Sequence, residues 1–137
     1  MFASIDLLLG AYQAAERVFI DVPIGLPWRD VQTRPCDRLA RVKLGSRGCT
    51  VFSPPCREAL SASGVATARQ MNLETLGRSL SEQAWRISPK IAEVDEFLRA
   101  NRLCGVRVRE IHPEVCFWAL AGGRGHAAQE KQQGWPC

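Results

Sequence analysis

Residues 17–27 read Arg-Val-Phe-Ile-Asp-Val-Pro-Ile-Gly-Leu-Pro, an apolar run that carries one acid, Asp21, and then breaks on two prolines and a glycine. Val18, Phe19, Ile20 and Val22 are β-branched or aromatic, and such a run bounded by turn formers predicts a strand buried on both faces. Asp21 falls at its carboxyl end. In open α/β sheets ligands collect outside that end, so the acid is placed for chemistry; it is equally placed to cap the following turn. Pro23 removes a donor and Gly25 permits positive φ, so the chain can leave the sheet sharply after the acid.

Outward from this strand, Ile5, Leu8, Leu9 and Tyr12 make one stripe of an amphipathic helix across residues 2–15. Thr33 as N-cap, Pro35 in the first turn and Gly45 past the end predict a basic helix over 34–44, with Cys36, Leu39, Ala40 and the Lys43 stem inward. Two glycines and two prolines across 45–57 predict an ordered loop, with room for a brief strand at 49–52. Short helices are expected at 55–62 and at about 65–76, separated by Gly64. A long helical pattern runs from Ser79 to Asn101, and Pro89 inside it predicts a kink or two helices meeting at Ser88. Residues 106–111 alternate apolar and charged, the period of a strand with one solvated face. Pro113 opens a further helix toward Gly122 and Gly123, with Val115, Trp118 and Ala119 at helical spacing. Residues 126–134 read as a frayed helix.

The order is helix, strand, several helices, strand, helix, which predicts an α/β fold: one domain with a long crossover between two parallel strands. Neighbouring strands would bring Asp21 beside Glu110, His112 and Glu114. Carboxylates converging at strand ends suit Mg²⁺ or Mn²⁺, because hard cations take oxygen ligands. His112 also reads as a general acid or base, or as a residue that simply starts its helix. Glu114 is favoured at a helix start whatever its chemistry.

The chain has 137 residues and a formal net charge of +4, with 46% hydrophobic and 23% charged residues, which excludes a disordered chain. The basic character is local: from Arg29 to Arg57, seven cations face two acids. Arg34, Arg38, Arg41, Arg47 and Arg57 could follow a phosphate backbone, although a basic helix and loop can also be merely solvated. Six cysteines show no CxxC pair and no zinc-ligand spacing. No signal peptide and no membrane span are legible, so a cytoplasmic protein with reduced thiols and no membrane partner is expected.

Five blocks, VFIDVPIGLP, CDRLARVKLG, VFSPPCREAL, LSEQAWRISPKIAEVD and REIHPEVCFWALAG, resemble in order and type the domain of unknown function 429 family. Its members are described as predicted nucleases of the ribonuclease H-like superfamily. The resemblance implies a five-stranded mixed sheet with helices on both faces, in which 17–22 is the fourth strand and 106–111 the fifth. It implies metal-dependent cleavage of nucleic-acid phosphodiesters, with Asp21 and Glu114 toward the metal and Glu110 and His112 beside them. The family pattern begins with a hairpin whose first strand bears an Asp-Gly pair and ends with an Asp-bearing helix. Neither is matched here, so a partial ribonuclease H-like fold, inactive or incomplete as this chain, is expected. The alternative is a non-catalytic α/β module for oligomerisation or binding. Either way, an unpaired apolar strand edge predicts a homodimer or a heteromer.

Overall fold

The computed structural model of the chain describes residues 4–101 and 107–123; the expected tail helix at 126–134 lies outside them. Helix α1 spans Ile5–Ala11, strand β1 Val18–Ile20 and helix α2 Pro35–Leu44. A 3-10 helix at Gly45–Thr50 leads to α3 (Arg57–Leu60), α4 (Val65–Leu76), α5 (Glu82–Ala100), β2 (Val108–Glu110) and α6 (Pro113–Leu120). The architecture is mixed helix and strand, α/β as expected. β1 and β2 run parallel with Val18 opposite Val108, Phe19 opposite Arg109 and Ile20 opposite Glu110. The Ile111 amide donates to the Ile20 carbonyl at 2.9 Å and carries the ladder one step further.

Local chemistry explains most boundaries. The Ser4 hydroxyl accepts from the Leu7 amide and starts α1, and Ser81 does the same for α5 through the Ala84 amide at 3.1 Å. Gly45 and Gly77 close α2 and α4 with φ of 58° and 68°, a region that only glycine occupies at little cost. Gly48 is required for a different reason: a Cβ there would meet the Arg41 carbonyl at 2.9 Å.

Five expectations are corrected. β1 is buried on one face only: Val18 is buried while Phe19 is 56% exposed. Alternation turns successive residues to opposite faces, and α1 and α5 pack against one of them. Residues 45–50 form a 3-10 helix rather than a loop with a strand. α5 runs as one helix through Pro89 rather than as two meeting at Ser88, with the Ser88 hydroxyl donating to the Ala84 carbonyl at 2.8 Å, next to the Trp85 carbonyl that loses its donor. α2 turns its polar side inward: Asp37 is buried, while Leu39 and Val42 are 58% and 72% exposed. Cys36, Cys56 and Cys116 are free, but Cys49 is disulfide-bonded, against the expectation of reduced thiols throughout.

Two apolar clusters form. One gathers Cys56, Ala59, Ala68, Leu76, Leu80 and Ala84 where α3 and α4 meet the start of α5. The other gathers Ile5, Val94 and Val108, with Ile20, Val22 and Phe97 against them, between α1, the later part of α5 and the sheet. α5 contributes to both.

Candidate functional site

Because the strands are parallel, the segments that follow them leave from the same end of the sheet. Glu110 closes β2 on the same side as its partner Ile20, and both of its carboxylate oxygens are engaged. Oε2 accepts from the Ile24 amide at 2.7 Å and from Arg34 Nη1 at 2.8 Å, and Oε1 accepts from Arg34 Nη2 at 2.8 Å. Arg34 also donates to the Ile24 and Gly25 carbonyls at 3.1 and 3.3 Å, and forks onto Asp37 through Nε at 2.9 Å and through Nη2. The prolines and the positive-φ glycine of the exit loop leave these carbonyls without strand partners, and the guanidinium supplies them. Burial by itself lowers the Arg34 pKa, but its bonds to Glu110 and Asp37 outweigh this and raise it above the ordinary arginine value. Glu110, expected beside Asp21 at a cation, is thus part of a clasp that ties α2 and the exit loop to β2.

Asp21 follows β1 directly, is exposed, and makes no ion pair or hydrogen bond with the described residues. His112 occupies the N-cap of α6, with Nε2 3.4 Å from the Thr50 carbonyl. Its Nδ1 lies 3.1 Å from Glu114 Oε2, close enough for an ion pair when the ring is protonated. The approach is outside hydrogen-bond geometry, so this buried nitrogen has no hydrogen-bond partner among the described residues. Among the described residues no three His, Cys, Asp or Glu side chains converge in a way that could hold a metal ion.

The five arginines expected on phosphate divide. Arg34 is buried in the clasp. Arg41 donates to the Val51 carbonyl at 2.7 Å and to Ser53 Oγ at 2.9 Å, and so pins the 3-10 segment to α2. Arg57 forks onto Asp95 with two bonds of 2.9 Å, which joins α3 to α5. Arg38 and Arg47 are exposed and pair with no acid among the described residues.

Reading the sequence left two residues aside. Asp37 stands three positions after Arg34, a spacing that signals a helical ion pair. Asn72, 1% exposed, accepts from the Cys56 amide and donates to the Arg78 carbonyl, both at 2.9 Å; no local sequence signal announces it.

A family model described as "Protein of unknown function (DUF429)" matches residues 1–136. The chain belongs to this family. No curated protein and no solved structure matches the chain. For this DUF429 chain, the clasp of Arg34, Asp37 and Glu110 fixes the frame in which Asp21, His112 and Glu114 stand. No helix among its described residues is long and apolar enough to cross a membrane.

Proposed function

We propose that this chain is a ribonuclease H-like module bearing part of the catalytic set of a metal-dependent nuclease, and that it does not by itself complete the site. The observation that carries this reading is the commitment of Glu110. Phosphodiester cleavage of this kind holds divalent ions between convergent carboxylates. Asp21 stands at the end of the parallel pair where such chemistry collects, but the acid closing the adjoining strand is neutralised by Arg34. His112 keeps unused capacity, since its buried Nδ1 has no hydrogen-bond partner among the described residues. Completion requires further oxygen donors brought against Asp21.

The experiment is calorimetric titration of Mn²⁺ into the protein and into Asp21→Ala, with nuclease assays on single- and double-stranded DNA and RNA. No saturable binding and no cleavage by either protein is expected. Saturable Mn²⁺ binding and cleavage that both vanish in Asp21→Ala would overturn the incompleteness.

A non-catalytic assembly role is favoured by a separate observation. β1 and β2 form a two-stranded sheet, so among the described residues each strand keeps an unpaired edge. Phe19 is exposed on the open face, and Leu39 and Val42 are exposed on α2. An isolated strand pair is marginal in water, and unpaired edges accept further strands. Light scattering at tens of micromolar is expected to show a dimer that Phe19→Ser weakens; a stable monomer removes this reading.

A further inference from the structure

A second polar region lies on the other side of the segment whose Thr50 carbonyl meets His112. A cavity of about 350 Å³ opens between residues 49–53, the loop after α4 and the first turn of α5, lined in part by Ser53, Asn72, Arg78, Ser79, Ser81 and Gln83. Its volume is in the range of small-ligand sites.

The charges around it are unbalanced. Arg78 is half-buried, and its guanidinium's only hydrogen bond to a described residue is a long one of 3.5 Å from Nη2 to the Pro54 carbonyl. Arg41 is close enough to repel it and spends its own donors on neutral oxygens, one of which is the wall residue Ser53. Burial first, and then the Arg41 charge, lower the Arg78 pKa from its ordinary value; Asp37 and the Cys56 thiol oppose this without cancelling it.

Among the described residues, the acids within reach are already engaged. Asp37 is bound by Arg34, and the Glu82 carboxylate, at the start of α5, is bound by Arg69 and Arg86. The 19-residue α5 begins at the cavity, with Ser81 as its N-cap, and contributes the positive end of its dipole. Asn72 holds the Arg78 carbonyl and so fixes the backbone from which the guanidinium extends. Removing cationic groups from water without an anion is unfavourable, and an oxyanion held by a guanidinium fork and hydroxyls recovers that cost.

We propose that this cavity binds the phosphate monoester of a small molecule of nucleotide size, with Arg78 as the principal anion ligand, the hydroxyls of Ser53 and Ser79 beside it and Arg41 as supporting charge. The cavity lining includes none of Asp21, His112 and Glu114, so phosphate binding here and metal binding at Asp21 are read by separate titrations.

The test is a calorimetric titration of inorganic phosphate and of a nucleoside monophosphate into the protein at constant ionic strength, with chloride as control. Three variants accompany it: Arg78→Gln, Ser79→Asp, which places a competing carboxylate at an exposed wall position, and Arg99→Gln in the exposed last turn of α5. Saturable phosphate binding is expected, with the nucleoside monophosphate at least as tight. Affinity falls about tenfold or more in Arg78→Gln and in Ser79→Asp, and is unchanged in Arg99→Gln. If Arg78→Gln does not fold, Ser79→Asp decides alone. Absence of saturable binding, or binding undiminished by Ser79→Asp, overturns the site. Tighter binding of an oligonucleotide without a terminal phosphate overturns the small-molecule assignment.

Discussion

The two halves of this molecule are held together by different forces. Where α3 and α4 meet the start of α5, closure is apolar: Cys56, Ala59, Ala68, Leu76, Leu80 and Ala84 are all at most 4% exposed. Around the sheet the apolar cluster is thinner, with three buried members, and the joint between α2, the exit loop and β2 is ionic. Apolar packing is non-directional and tolerates small shifts, whereas a guanidinium shared by two carboxylates and two carbonyls fixes angles as well as distances. The half that carries the candidate site is thus the half in which geometry is set by charge.

The largest test of this contrast is Arg34→Ala. It leaves Asp37 and Glu110 without their cation and removes the donors from the Ile24 and Gly25 carbonyls, so a loss of about 3–5 kcal/mol is expected in urea unfolding. A loss below about 1 kcal/mol would mean that the clasp is solvated and that the sheet half rests on its apolar contacts.

Leu76→Ala in the other half opens a cavity on a helix that alanine otherwise suits, and a loss of about 2–4 kcal/mol is expected by the same measurement. If it matched or exceeded the effect of Arg34→Ala, the ionic joint would not be the more demanding of the two.

A smaller, pH-dependent effect belongs to the contact of α1 with α5. Glu93 accepts from Lys90 and from the Ile5 amide, and these bonds, in that order, hold its pKa below the ordinary 4.5. A carboxylate with a depressed folded-state pKa contributes stability that is complete above its unfolded value and is lost as pH falls through the folded one. Thermal unfolding below about pH 4.5 is expected to show a decline that Glu93→Gln flattens. An identical pH profile in that variant would mean that other acids set the response.

Much of the fold was legible from short-range signals. The helix at 65–76, the start of α5 at Ser81, the Pro113 start of α6 and the parallel pairing of the two strands all follow from caps, prolines and periodicity. The orientation of α2 was not legible. Its sequence offers Cys36, Leu39 and Ala40 as one stripe and Arg34, Asp37 and Arg41 as another, and hydrophobicity favours burying the first. The structure buries Arg34 and Asp37, because Glu110 and the bare carbonyls of the exit loop lie on that side. The site was legible in the same uneven way. Asp21 at the carboxyl end of its strand could be read from the proline and glycine that follow it, whereas the engagement of Glu110 could not.

The sequence by itself determined the order of most helices and of the two strands, that one strand delivers an acid to the turn after it, and that basic residues gather between 29 and 57. Those properties depend on neighbours within a few positions along the chain. Only the tertiary structure decided which acids remain open to a ligand and which arginines are left without an acid. Arg34 and Glu110 are 76 residues apart, and Arg57 and Asp95 are 38 apart. Such partners are chosen by packing, since a charge taken out of water is stable only beside whatever opposite charge or hydrogen-bonding group the fold brings to it.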